Sequence, residues 1–332
     1  MLAPCCGSLN EASVRHSILE RAPADSLGVA SSESRFTSGM ALPLSAIDDD
    51  EGAALPSALP PVIDAHVHLF ADPLFKAIWR WFEAYGWPIR YKLTTPEVLQ
   101  FLFSRGVQHV VALHYAHKPN IARGMNAFVA EVVKQSGGRV TGVATVFPGE
   151  DDAEGILEEG FAAGLRGVKM HCHVQCFAPD SEALLPVYRA CVKHDLPLVM
   201  HAGREPSSPA YKCDPYELCS ADRVAHVLEA HPKLRLCVPH LGADEFTGYE
   251  RLLERFENLY LDTTMMMAGY FPVEVPQRLL DCRPERILFG TDFPNLPYAW
   301  DREIRRIAAT EKREERLAAV LSGNARTLFG IA

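Results

Sequence analysis

The 332-residue chain contains no run of about eighteen consecutive apolar residues, so nothing in it reads as a membrane span. It also lacks a basic surplus. Lys and Arg number 33 against 42 Asp and Glu, a formal charge of -9, which argues against binding to a phosphate backbone. The nine cysteines are odd in number and follow no regular spacing. The chain carries charge by Glu11 and has no signal-length apolar core near its start, so reduced thiols and a cytoplasmic location are the expectation. A Gly-rich dinucleotide fingerprint is missing as well.

Residues 1–58 are rich in Ser, Ala, Pro and acidic side chains, as in "SSES", "IDDDEG" and "LPSALPP", and read as a loose extension. A short helix near "NEASVRHSILER" and a lipid or metal role for Cys5 and Cys6 are weaker expectations there. From residue 59 to 332 short apolar runs alternate with longer amphipathic segments. Eight such runs fall at 61–68, 107–114, 139–146, 165–171, 196–201, 233–240, 258–264 and 286–292. Helix start signals lie between them, at "TPEV" from Thr95, "PDSEALLPVYRACVKH" from Pro179, "SADRVAHVLEAH" from Ser220 and "PVEVPQRLLD" from Pro272. Eight strand–helix units in this length favour an α/β fold closed as a (β/α)8 TIM barrel, distorted, over an open doubly wound sheet.

The unexpected polar residues sit at the carboxyl ends of these runs. "VIDAHVHLF" closes the first with His66 and His68, and strand alternation puts Asp64, His66 and His68 on one face with Ile63, Ala65 and Val67 on the other. Lys169 and His171 end the fourth run, His201 the fifth, His240 the sixth and Asp292 the eighth. In a barrel all of these ends share one rim, where such enzymes build their sites. A buried Asp292 needs a partner, and a cation is the natural one. Three imidazoles and a carboxylate suit zinc and tolerate other first-row metals, and a metal-activated water is hydrolytic machinery.

Together "DAHVH", "GVKMH", "LVMHAG", "VPHLG", "ILFGTDFP" and "LSGNARTLFG" resemble the amidohydrolase-related branch of the amidohydrolase superfamily over about residues 60–332. The resemblance implies one divalent metal held by His66, His68, His201 and Asp292. Zinc is expected, manganese or another first-row ion is the alternative, and a second metal is not expected although Lys169 stands near the bridging lysine of binuclear relatives. It also implies that His240 and Asp292 manage protons. The activity expected is hydrolysis of a small carboxylate-bearing lactone, ester or amide. The alternative is non-oxidative decarboxylation of an aromatic or unsaturated acid. A barrel that only binds is disfavoured because all four implied ligands are present.

Several residues keep two readings. Asp64 either orients a ligand or satisfies backbone groups inside the barrel. "HCHVQC" invites a separate zinc site, yet no second cysteine pair follows at a suitable spacing, and His173 faces either pocket or solvent. His114 and His117 are rim histidines for which an ordinary loop role is favoured. "FKAIWRWFEAYGWPIRYK" carries three of the four tryptophans and either roofs the pocket or packs as a helix. After "HAG" stands Arg204, not the glutamate of purine-type deaminases, so deamination loses ground. Arg204, Lys169 and His171 are expected to bind a substrate carboxylate, with Arg80, Arg90 and Arg123 as weaker candidates. The loop alternative for Arg204 is a pair with a surface acid. The partner expected is a small molecule, with neither nucleic acid nor membrane, and a homodimer is left open.

Overall fold

Each of the eight apolar runs forms a strand in the structure, a computed structural model that describes residues 46–332. They are β1 (Ile63–His68), β2 (His109–Leu113), β3 (Val140–Gly142), β4 (Val168–His171), β5 (Leu198–His201), β6 (Leu236–Val238), β7 (Leu259–Asp262) and β8 (Ile287–Leu288). All neighbouring strands run parallel, in the orders β1-β2-β3 and β4-β5-β6-β7-β8. Parallel strands are covered on both faces, which is why they read as unbroken apolar runs. Two seams join the sheets. Ala144 pairs with Val168 beside β3, and Val67 of β1 pairs with Phe293 beyond β8. Backbone bonds from His68 N to Phe293 O (2.8 Å) and from Asp292 N to His66 O (2.9 Å) hold the second seam. The fold is the expected (β/α)8 barrel. Cys5, Cys6 and the short helix expected near "NEASVRHSILER" lie outside the described residues.

The last strand of each sheet, β3 and β8, is shorter than its apolar run. Side chains take over the ladder there: Asn126 Oδ1 accepts from Thr145 N at 2.8 Å, and Asp64 Oδ1 accepts from Thr291 N at 3.1 Å. Helices open where their signals stand. Thr94 and Glu97 form a capping box before Thr95–Ser104, and the Ser220 side chain caps Ala221–Ala230. The helix expected from Pro272 is confined to Gln277–Cys282, because Pro276 biases the residue before it away from helical geometry. The aromatic segment after β1 is mostly the helix Asp72–Tyr85. No helix among the described residues is long and apolar enough to cross a membrane.

Two apolar clusters mark the inside and outside of the barrel. Ile63, Ala65, Val111, Val143, Val199, Cys237 and Leu288 form the inner one, closed below by Leu328 and Phe329 of the final helix Asn324–Phe329. Val67, Ala112, Val168, Met170, Met200 and Leu261 belong to the outer one, against the helices. The side-chain alternation expected for β1 does not hold along its length. Asp64 pairs with Val110 but Val67 with Ala112, so an extra residue lies between them and the facing shifts. Ala65 therefore packs inside while Val67 packs outside, and Asp64 is turned away from the histidines to the β8 seam. Its carboxylate accepts from His66 N (3.1 Å), Thr291 N (3.1 Å) and Thr291 Oγ1 (2.6 Å). Burial pushes Asp64 up to about 7 in spite of the bonds from Thr291.

Residues 46–58 lie on the barrel, within the segment that the sequence reads as a loose extension. Asp49 pairs with Arg302 at 2.7 Å, Gly52 N donates to Asp301 at 2.9 Å, and Leu55 N donates to Arg105 O at 2.8 Å. Apolar periodicity does not register such polar attachments. Asp64→Ala is expected to lower the midpoint of urea unfolding, at a cost of roughly 2–4 kcal/mol for stranding the Thr291 and His66 donors. Asp64→Asn, which keeps one acceptor, should cost less; equal midpoints for both variants would remove the seam role.

Candidate metal centre

The carboxyl ends of β1, β4, β5, β7 and the turns after β6 and β8 put His66, His68, Lys169, His171, His201, Asp262, His240 and Asp292 in the interior, all buried. Asp292 and His240 both have positive φ, 76° and 59°, an unusual backbone for side chains with a Cβ that re-aims them at the ends of their strands. Gly290 is required by close approach: a Cβ there would lie 2.4 Å from Thr264 Oγ1 and 2.7 Å from His66 Cβ.

Nε2 of His66 and Nε2 of His68 face the same Asp292 oxygen, Oδ1, at 3.3 and 3.0 Å. One ligand atom each from His66, His68 and Asp292 lies within 4.8 Å of the others. On its other side His66 Nδ1 meets Asp262 Oδ2 at 2.9 Å. A neutral imidazole that donates Nδ1–H to Asp262 presents a bare lone pair at Nε2. Burial pushes the His66 ring down to about 4 although Asp262 favours its charged form, so it is neutral near pH 7. Its buried Nε2 has no hydrogen-bond partner and points at a carboxylate oxygen. Lone pair against lone pair is unfavourable, and a cation between them resolves it. For Asp292 burial opposes ionisation, but the charge and hydrogen bond of His68, with His66 and His240, hold its carboxyl well below the usual range.

A second chain of imidazoles adjoins this group. His240 Nδ1 donates to Thr264 O (3.0 Å), which leaves Nε2 as acceptor for His201 Nδ1 at 3.2 Å. Nε2 of His201 is then a buried lone pair with no partner. Burial lowers the pKa of both rings. The ring of His240 lies 5.6 Å from His66 and 4.6 Å from His201, so it links the two sets. Three of the four expected ligands thus meet in one group, while His201 stands in the neighbouring one with His171 and His173, again with ligand atoms within 4.8 Å. His171 stacks on His201 at 4.2 Å.

Lys169 is fully buried, its Nζ is without a hydrogen-bond partner, and burial lowers it to about 8 against the pull of Asp262 and Asp292. Arg204 lies with Nε 3.3 Å from Glu245 Oε2 and over the Tyr216 ring, the acid-paired arrangement that is its loop alternative. Arg90 is engaged by Glu51 and Asp49, Arg123 by Glu159 and Asp152 on the surface, and Arg80 is exposed. His114 bonds Asn126 Oδ1 at 3.0 Å within the wall, and His117 is exposed. Above the histidines, ring contacts run from Phe70 to Tyr115 (5.4 Å), Tyr115 to His171 (4.9 Å), His173 to Tyr211 (5.1 Å) and Tyr211 to Trp81 (5.3 Å). The aromatic helix thereby reaches the rim through Trp81, while Trp79 stacks on Phe75.

One site residue, Asp262, escapes the sequence reading, and for His173 the structure decides between pocket and solvent. Asp262 ends β7 in "NLYLDTT", and its place at a strand end, like that of Asp292, was the available signal; it holds His66 Nδ1 and accepts from His240 N at 3.1 Å. His173 is buried and donates Nε2–H to Gly203 O at 2.8 Å.

A closed parallel barrel with its ionisable groups gathered at the carboxyl rim has the layout of a barrel enzyme. The chain belongs to the amidohydrolase family, whose model matches residues 63–331, and it is an enzyme of the amidohydrolase superfamily. No curated protein matches it. Among solved structures it is similar to an uncharacterised TIM-barrel protein of Bordetella bronchiseptica, at 18% identity and TM-score 0.61, over 81% of this chain and 98% of that one. A 5-carboxyvanillate decarboxylase of Novosphingobium aromaticivorans, complexed with manganese and 4-hydroxy-3-methoxy-5-nitrobenzoic acid, matches at 15% identity and TM-score 0.59, over 84% and 99%. A protein of Pseudomonas putida assigned as a 2-pyrone-4,6-dicarboxylic acid hydrolase matches at 17% and 0.54, over 82% and 98%. At these identities the likeness concerns the fold.

Asp262→Ala is expected to weaken manganese or zinc binding about 10–100-fold by freeing the His66 ring, measured by isothermal titration. Gly290→Ala should act in the same direction by displacing His66. Unchanged affinity in both variants would contradict the geometry assigned to His66.

Proposed function

We propose that His66, His68, His201 and Asp292 hold one divalent cation, zinc or another first-row ion such as manganese, and that the enzyme hydrolyses a small carboxylate-bearing lactone, ester or amide. The observation that carries this reading is the pair of buried, partnerless imidazole nitrogens, His66 Nε2 and His201 Nε2, in a site that also buries the Asp292 carboxylate. Nitrogen and oxygen donors of this kind fit zinc and tolerate manganese. A bound cation supplies Lewis acidity, polarising a carbonyl and lowering the pKa of water from about 16 to roughly 7.

The chain's own groups do the rest. Asp262 fixes the tautomer of His66, and Thr264 O fixes that of His240, whose Nε2 lone pair accepts from His201 Nδ1 and is the atom that takes up a proton and returns it to a leaving group. Asp292 shares this proton traffic. Lys169, the partnerless cation at the barrel wall, with His171 and with Arg204 released from Glu245, binds the substrate carboxylate. Desolvation inside the barrel strengthens each of these contacts.

One observation favours the second reading, decarboxylation of an aromatic or unsaturated acid. Phe70, Tyr115 and Tyr211 gather beside the rim histidines, an aromatic surrounding suited to a planar substrate. In that chemistry His240 delivers a proton to the carbon from which carbon dioxide departs. The two readings separate in a screen of small lactones and aromatic carboxylic acids with metal-replete protein, following ring opening and carbon dioxide release independently. Protein purified without chelators is expected to carry close to one equivalent of metal, lost in His66→Ala and Asp292→Ala. His240→Ala should keep the metal and lose turnover by about 10²–10⁴-fold. Metal-free protein that still turns over substrate would overturn the proposal.

A further inference from the structure

Four of the seven cysteines among the described residues gather beside the histidines. "HCHVQC" supplies Cys172 and Cys176 directly after β4, and the loop after β5 supplies Cys213 and Cys219. Sequence spacing gave this motif no partners; the fold brings them. They pair two by two. The thiols of Cys176 and Cys213 lie within hydrogen-bonding reach of each other, and both donate to one acceptor, His173 O, at 3.6 and 3.5 Å. Cys172 and Cys219 form the other pair, which is buried. The ligand groups of three or more among the described residues are the two histidine-containing clusters, so the sulfurs stand as pairs and not as a zinc site.

We propose that Cys176 and Cys213 are an oxidant-sensitive pair, which hydrogen peroxide converts to a disulfide that staples the loop after β5 to the turn after β4. Cys176 meets the oxidant first. It is exposed, at the end of the one-turn helix Cys172–Gln175, where a left-handed backbone (φ 53°) ends the helix. Its sulfur attacks a peroxide oxygen: the S–O bond forms, the O–O bond breaks, and water leaves with the thiol proton. Cys213 is half-buried, and burial together with the Cys176 thiol pushes it up to about 12, so it waits as a thiol within reach. Its sulfur then displaces the hydroxyl of the Cys176 sulfenic acid: the S–S bond forms, the S–O bond breaks, and the second water carries away the Cys213 proton. Two thiols are oxidised and one peroxide is reduced to two waters.

The location gives the bond a consequence. Tyr211, two residues before Cys213, touches His173 at 5.1 Å and Trp81 at 5.3 Å, so the stapled loop is the one that lays an aromatic ring over the rim. Between Tyr211 and Cys213 stands Lys212, which is exposed and marks the loop for trypsin. Local opening of a loop governs such cleavage, and a cross-link at its base suppresses it.

The test is to treat the full chain with hydrogen peroxide, alkylate the remaining thiols, digest without reductant and map the peptides by mass. A linked pair carrying Cys176 and Cys213, dissolved by dithiothreitol, is expected. In the native protein cleavage after Lys212 should slow several-fold on oxidation and recover on reduction. Cys213→Ser should leave Cys176 as a sulfenic acid that dimedone captures, and Cys176→Ser should give no linked peptide and no change in cleavage. Alkylation of both thiols after peroxide, a link through Cys172 or Cys219 in place of this pair, or a linked protein cut as fast as the reduced one would each overturn the inference. None of these outcomes bears on metal content, so the proposal for the site stands or falls separately.

Discussion

Closure of the barrel between its first and last strands is the constraint on which the site depends. The hydrogen bond from Asp292 N to His66 O fixes the register between β1 and the turn after β8, where both segments carry ionisable side chains. An imidazole pair and a carboxylate are thereby forced into the interior together, with Nε2 atoms 3.0 and 3.3 Å from one oxygen. Burying an isolated carboxylate is costly, and the arrangement is stable only because opposite charge or a cation faces it. Asp64 works beneath it as the clasp. By gathering the donors of His66 and Thr291 it keeps the seam shut where ladder bonds give out.

Electrostatic order spreads outward from that seam through tautomers rather than through ion pairs. Asp262 reads one nitrogen of His66, Thr264 O reads one nitrogen of His240, and His240 in turn reads His201. Each link leaves the opposite nitrogen as a lone pair directed inward. Positive φ at His240 and Asp292 shows where the backbone is bent to achieve this. The interior is thus built around nitrogen lone pairs and one carboxylate, while Lys169 supplies a positive charge in the barrel wall.

The architecture was legible because a parallel barrel hides both faces of every strand. Runs such as "LPLVMH" could hardly be anything else once eight alternated with helices. Polar residues at the ends of those runs mark the rim, and the structure buries His66, His68, His201, His240 and Asp292 there. What stayed hidden depends on contacts between distant segments. The extra residue in β1 changes which way Asp64 faces, and no periodicity reveals a bulge. Asp262 lay in plain view at the end of β7, yet only its contact with His66 gives it meaning. Arg204 meets Glu245 from the next strand's loop, and Cys176 meets Cys213 across two βα turns, pairings that linear spacing does not encode. The polar attachment of residues 46–58 is of the same kind.

The central claim is that nitrogen and oxygen atoms of this rim hold a cation, and X-ray absorption at the metal edge tests it most directly. On protein loaded with one equivalent of zinc, the account predicts a single shell of nitrogen and oxygen scatterers at about 2.0–2.2 Å with the outer-shell pattern of imidazole. A sulfur shell at about 2.3 Å would place the ion on the neighbouring cysteines and contradict it.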